Sequence, residues 1–163
     1  MEDFLFNNFW IVLMAITFVN GFLLKIRFNK YILEHPELED GYNKIIKVWL
    51  IFGSFPWVII MIGSLTGLTQ NISEYFNPMA MNPMVLVFHF IMISVWLIAA
   101  VWIFFRGGAE FIASHPGVIK TSILNNGAAN SAISIKIFFS IILIVTLTIM
   151  AIVWSGALSI PLG

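Results

Sequence analysis

Four long apolar runs dominate the chain and are separated by shorter polar connections. A helix needs about 20 predominantly apolar residues to cross a bilayer, and each run has about that length. The runs cover about residues 4–24, 48–68, 83–105 and 137–155. Helices with no polar face are poorly suited to the surface of a soluble bundle. The pattern therefore predicts an all-α polytopic membrane protein, with four transmembrane helices in a single membrane domain over residues 1–163.

Composition supports a membrane environment and narrows the chemistry. The chain is 60% hydrophobic and 10% charged, whereas a soluble domain carries roughly 25% charged residues. Its formal net charge is zero, so no long-range field favours nucleic acid, and the lipid bilayer is the expected partner. The absence of cysteine excludes disulfides, thiolate metal sites, iron-sulfur clusters and cysteine nucleophiles.

The basic residues predict the orientation of the chain. The N-terminus begins with Glu2 and Asp3, acidic where a signal peptide is basic, so we expect the first run to be retained. All eight basic residues fall in or beside two connections, 25–47 and 106–136. The positive-inside rule places these connections in the cytoplasm and both termini outside. No feature beyond an isolated Asn-X-Ser sequon suggests a glycosylating host, so we expect a bacterial inner (plasma) membrane.

A short motif recurs in the two basic connections. His35-Pro36 in the first matches His115-Pro116 in the second when the chain is shifted by 80 residues, and the same shift places the first helix on the third. The fourth helix aligns with the second if about ten residues, 125–134, form an inserted loop. We therefore predict an internal repeat of two tandem parallel hairpins, related by a pseudo-twofold axis along the membrane normal. The hairpins would cover residues 1–70 and 80–163.

Local signals predict where helices begin and end. The first helix should continue beyond the membrane and stop at His35, because a residue before proline is disfavoured in the α conformation. Pro36 then suits the first turn of a new helix, and Gly41 predicts a bend before the second membrane helix. Asn82 is a predicted cap for the third helix, with Pro83 as its first residue.

A pair of glycines lies near the far end of the second membrane helix. Gly63 and Gly67 form a GxxxG spacing, which permits close helix packing.

His89 is the ionisable residue predicted to lie well inside a span. It follows Pro83 by six residues, which places it on the order of 9 Å below the start of the third helix. Ionisable residues at such depth are functional-site hypotheses. The alternative is a neutral imidazole hydrogen-bonded across the bundle, with Asn8 and Ser64 as candidate partners. Asn20 and Ser94 are further intramembrane candidates, although a buried amide more often marks helix packing.

Cofactor binding and catalysis find little support. His35 and His115 are the histidines that could pair across the predicted axis to bind haem or a metal. Each lies at a helix end, where it could instead cap carbonyl groups, and no HxxxH or ExxH spacing is present. We therefore predict no cofactor. The motifs GxSxG and HExxH are also absent, so we do not expect an enzyme.

Two function classes remain open. The first is an accessory, scaffold or interaction subunit, which associates with itself or with a larger membrane complex. The second is an oligomeric channel or carrier, in which polar side chains of helices one, three and four line a pore. Those side chains are Thr17, Asn20, His89, Ser94, Ser140, Thr146 and Thr148.

Overall fold

Five α-helices account for most of residues 8–119 and 131–157, the part of the chain that the computed structural model describes. They are α1 (Phe9–Glu34), α2 (Glu39–Leu65), α3 (Pro83–Phe105), α4 (Gly108–Ala113) and α5 (Ala132–Trp154). Four of them, α1, α2, α3 and α5, are long and apolar enough to cross a membrane. The prediction of an all-α membrane protein with four spanning helices is confirmed.

The first corner has the predicted boundaries but not the predicted bend. Helix α1 runs to Glu34, and the backbone N–H of His35 caps it by donating to the Tyr31 carbonyl. A single 3₁₀ turn, Pro36–Leu38, then leads into α2. The expectation of a bend at Gly41 is wrong, because Gly41 lies in the first turn of a continuous α2. Its role is a tertiary contact described below.

The second corner is built differently from the first. Helix α3 ends at Phe105, and a separate short helix, α4, precedes the His115-Pro116 motif. Ser131 caps α5 by accepting a hydrogen bond from the Ser134 backbone, so the predicted loop 125–134 is wrong over its last residues. Its other residues, 125–130, lie outside the described residues.

Two 3₁₀ turns, Ile72–Phe76 and Pro78–Ala80, form the connection between α2 and α3. The predicted cap is confirmed, since the Asn82 side chain accepts a hydrogen bond from the Met84 backbone at the start of α3. The GxxxG interpretation holds at Gly63, which allows a close approach of Tyr75 and Thr69, but is wrong at Gly67, which lies beyond the end of α2 with a φ of +70°. Gly67 therefore terminates the helix, where glycine tolerates the left-handed conformation without a steric cost.

Packing joins the spanning helices in the order α1, α2, α3, α5. The α1–α2 contact is the most extensive, followed by α2 with α3, while α3 meets α5 and both contact α4. Among the described residues, α1 and α5 make no comparable contact with each other. Each span therefore packs mainly against its neighbour in this order.

Few helical side chains are buried within the protomer. Large apolar side chains remain exposed on all four spans, including Phe22, Leu65, Phe90 and Ile144. Lipid tails solvate such side chains as well as a protein interior does. We call the end that carries both His-Pro corners the inner end and the end that carries the α2–α3 connection the outer end.

Candidate functional site

His89 occupies a closed hydrogen-bonded cluster near the outer end. Its side chain is buried, at 5% exposure. The indole nitrogen of Trp154 donates to His89 Nδ1 over 3.3 Å, and an indole N–H can only donate. The ring proton therefore lies on Nε2, which donates to the Tyr75 carbonyl over 2.9 Å. Both ring nitrogens of His89 are engaged, so the geometry has the features of a neutral structural imidazole.

Tyr75 anchors this outer cluster. Its ring is 2% exposed and packs edge-on against Phe88. The phenol shares a hydrogen bond of 3.2 Å with the Thr69 hydroxyl and lies so close to Gly63 that a Cβ there would be 2.3 Å from the phenol oxygen. Burial raises the pKa of the Tyr75 phenol above its ordinary value of 10.0, because an apolar environment disfavours the charged phenolate. The outer connection is thereby held against α2 and α3.

A polar network on the outer connection surrounds Glu74. Its carboxylate accepts hydrogen bonds from the backbone N–H groups of Gln70 and Asn71 and from the Asn82 side-chain amide. Asn71 completes a capping box by accepting from the Ser73 backbone. Both Glu74 oxygens are therefore used to shape the connection.

The inner end contains a second cluster, in which His115 is 6% exposed. His115 Nδ1 lies 2.7 Å from the Phe111 carbonyl, which can only accept, so Nδ1 carries the proton. Tyr42 is fully buried, packs edge-on against the imidazole with a 5.1 Å centroid distance and donates to the Pro116 carbonyl over 2.8 Å. These contacts fasten the second corner to the first hairpin.

Two glycines permit this close approach. A Cβ on Gly41 would lie 1.8 Å from His115 Nε2, and a Cβ on Gly117 would lie 2.2 Å from the Tyr31 ring. Gly117 also has a φ of +79°, a conformation that L side chains rarely adopt. The Arg27 guanidinium donates to the Val118 carbonyl over 3.0 Å. The inner cluster is thus a fitted contact between α1, α2 and the second corner.

The two corners share a backbone hydrogen bond but differ in their environment. The N–H of Leu38 donates to the His35 carbonyl, and the N–H of Val118 donates to the His115 carbonyl in the same way. However, 53% of the His35 side chain is exposed, where it contacts Glu37 at 3.1 Å. Pro36 is also exposed. The internal repeat therefore stays a sequence prediction with one matching turn.

Most of the polar side chains assigned to a pore have separate local partners. Thr17 donates to the Leu13 carbonyl and accepts from the Trp57 indole at 2.9 Å. Three other hydroxyls, on Ser94, Ser140 and Thr148, donate to the carbonyl four residues earlier on their own helix. Asn20 is exposed, and its side chain makes no hydrogen bond to the described part of the protomer. None of these hydrogen bonds joins two of the polar side chains assigned to the pore.

No group of three or more His, Asp or Glu side chains within residues 8–119 and 131–157 is arranged to hold a metal ion. His89 is buried in the outer cluster and His115 in the inner cluster. His35 is exposed beside Glu37.

Several residues of these clusters carry no sequence signal for their role. Tyr42, Tyr75 and Trp154 are aromatic residues in an aromatic-rich chain, and the sequence did not indicate that they bind histidines or carbonyls. Gly41 suggested a bend, although its function is to leave space for His115. The glycine after Pro116 is the one signal that could have been used, since a His-Pro-Gly run is typical of a tight turn.

The fold and the clusters together define an all-α, four-helix membrane protein whose buried histidines and threonines are hydrogen-bonded within the protomer. Two buried nitrogens, Trp10 Nε1 and Arg27 Nε, have no hydrogen-bond partner among the described residues. Comparison of the chain with protein-family models, curated proteins and solved structures gave no match.

Proposed function

We propose that this protein is a membrane-embedded interaction subunit, acting as an accessory or scaffold in a larger membrane assembly. The observation that carries the proposal is that the buried histidine and threonine side chains are hydrogen-bonded within the protomer. A transporter or enzyme needs polar groups that are free to bind a substrate or transfer a proton. In the outer cluster, His89 uses both ring nitrogens in structural hydrogen bonds.

The outward surface of the spans supports the same function. The exposed fraction is 63% for Phe22 on α1, 70% for Phe90 on α3 and 63% for Ile144 on α5. Such surfaces can contact lipid or the helices of another membrane protein, because association in membranes relies on packing and hydrogen bonds rather than on the hydrophobic effect.

The inner cluster gives the subunit a rigid end. Tyr42, His115 and Arg27 tie the second corner to the first hairpin through the Tyr42–Pro116 and Arg27–Val118 hydrogen bonds. A rigid end is useful in a scaffold because it presents a defined surface without a conformational entropy cost on binding.

Site-specific photo-crosslinking in native membranes tests this proposal. A photoreactive residue replaces Phe22, Phe90 or Ile144, and the matched control replaces Ile103, which is 4% exposed. We expect adducts of higher mass from at least one exposed position and none from Ile103. The absence of adducts at all three exposed positions, together with a monomeric mass in mild detergent, would contradict the proposal.

A second experiment tests the alternative function, an oligomeric channel or carrier. Purified protein in liposomes is assayed for ion and solute flux, with haem and metal content measured on the same preparation. We expect no flux above empty liposomes and no stoichiometric haem or metal. Flux that Ser140→Ala or Thr148→Val reduces would favour a pore lined by α5 hydroxyls.

The proposed orientation places the inner end in the bacterial cytoplasm. Cysteines replacing Met79 on the outer connection and Ser114 at the inner end test it, since the chain has no native cysteine and both positions are exposed. An impermeant thiol reagent should label only the Met79→Cys variant in intact cells. Labelling of only the Ser114→Cys variant would reverse the orientation.

A further inference from the structure

Asn20 is a polar residue on the exposed surface of a membrane helix. It lies within the apolar part of α1, five residues before Lys25, or about 7.5 Å along the helix axis. The amide is exposed and makes no hydrogen bond with the described part of the protomer. An amide that faces hydrocarbon without a partner is unfavourable, because neither its N–H groups nor its oxygen is solvated. The position therefore calls for a polar partner from outside the protomer.

The residues around Asn20 form a continuous stripe along α1. Leu13, Ile16, Asn20 and Leu23 follow one another at spacings of three and four residues. This is the spacing of a and d positions in a helix pair that packs knobs into holes. Ile16 and Leu23, on either side of Asn20, are 50% and 54% exposed. Ile16, Asn20 and Leu23 are exposed, whereas the buried residues of α1 are Thr17, Gly21 and Phe28.

We propose that this stripe is a self-association seam, in which α1 packs in parallel against α1 of a second copy and the two Asn20 amides hydrogen-bond to each other. A second copy with the same membrane orientation places its own Asn20 at the same depth, so the partner group is supplied by symmetry. The amide carries both a donor and an acceptor, which makes it complementary to itself. A single Asn at an a position also fixes the register of two helices. The seam rests on the proposed function as an interaction subunit and names its partner and contact surface.

Disulfide crosslinking in native membranes tests the seam, because single cysteines are unambiguous in a chain without native cysteine. Ile16→Cys and Leu23→Cys report on the seam. Phe18→Cys and Phe22→Cys are matched controls on the opposite side of α1, where the side chains are 55% and 63% exposed. We expect oxidation to produce dimers at positions 16 and 23 and few at positions 18 and 22. Equal crosslinking on both sides, or crosslinking only at the controls, would overturn the seam.

The role of the amide is tested by Asn20→Leu and Asn20→Gln in full-length protein. For Asn20→Leu, we expect the dimer dissociation constant, measured by energy transfer in bicelles, to rise about three- to thirtyfold. Asn20→Gln retains the donor and acceptor and should restore most of the affinity. The thermal stability of the monomer should not change with either variant, since Asn20 makes no hydrogen bond within the described protomer. An unchanged dissociation constant for Asn20→Leu would overturn the assignment of the amide.

The outcomes separate this seam from the broader proposal. A photoreactive residue at Ile16 or Leu23 could form adducts only with a different protein. In that case the proposal that α1 packs against a second copy is wrong, while the proposal of an interaction subunit is retained. If no exposed position on any span forms an adduct, both are wrong.

Discussion

The imidazole of His115, in the second corner, lies directly against the backbone of Gly41 in α2, 74 residues away in sequence. A Cβ at position 41 would be 1.8 Å from Nε2 and 2.7 Å from Cε1. The ring has little freedom to retreat, because Nδ1 donates a hydrogen bond to the Phe111 carbonyl and the imidazole packs against Tyr42 in a T-shaped contact. This contact closes the inner end.

The Gly41→Ala variant should be less stable than the wild type. Ala is favoured over Gly in a helix by about 1 kcal/mol, but overpacking at a tethered ring costs typically about 1–3 kcal/mol. We expect the steric cost to exceed the helix benefit. The measurement is the free energy of unfolding in mixed detergent micelles.

The control for this prediction is the same substitution in a His115→Ala background. With the imidazole gone, Gly41→Ala should be neutral or stabilise by up to about 1 kcal/mol. An equal loss of stability in both backgrounds would show that the contact with His115 is not the cause.

His89→Leu should destabilise the protein because it leaves two partners unpaired. The Tyr75 carbonyl and the Trp154 indole N–H would both lose their hydrogen bond, a penalty of about 1–3 kcal/mol for a buried group. The loss of stability from broken hydrogen bonds should be smaller for Trp154→Phe than for His89→Leu, since only His89 Nδ1 loses a partner. A double-mutant cycle between the two positions measures their coupling by unfolding in detergent. Ser94→Ala is the control, because this hydroxyl donates only to its own helix. A coupling energy of zero between positions 89 and 154 would contradict the hydrogen-bonded cluster.

Asn82→Ala and Asn77→Ala form a matched pair, since each asparagine precedes a proline and begins a helical turn. Asn82 accepts from the Met84 backbone and donates to the Leu68 carbonyl, whereas the Asn77 side chain makes no cap hydrogen bond. We expect Asn82→Ala to lower the unfolding free energy by about 1 kcal/mol. Asn77→Ala should have a much smaller effect, and equal losses would argue against the cap.

The Glu110–Lys136 ion pair should give stability a pH dependence. Hydrogen bonding to its own backbone N–H, followed by the 3.0 Å contact with Lys136, lowers the pKa of Glu110 below its ordinary value of 4.5. A lowered pKa in the folded state means that the stabilisation is present above about pH 4.5 and is lost as the pH falls further. The melting temperature of Glu110→Gln should therefore be below that of the wild type at pH 7, and the difference should shrink towards pH 3.5. A difference that is constant with pH would exclude the carboxylate as its source.

Much of the architecture was predictable from the sequence. The four apolar runs specify spanning helices because the bilayer imposes a fixed length and requires each backbone polar group to be bonded within the helix. Proline and asparagine specify helix boundaries through local sterics and capping, as at Pro36 and at Asn82. These effects act over a few residues, so the chain alone carries the information.

The tertiary structure decided which polar groups find partners within the protomer and which remain exposed. His35 and His115 have the same local motif, yet one is exposed and the other is buried, because only the second corner meets Gly41 and Tyr42. His89 found its partners in Tyr75 and Trp154, which lie 14 and 65 residues away. Asn20 was expected to pack within the bundle and instead faces outward. Such pairings depend on how the helices rotate and approach each other, and short-range sequence patterns do not encode that geometry.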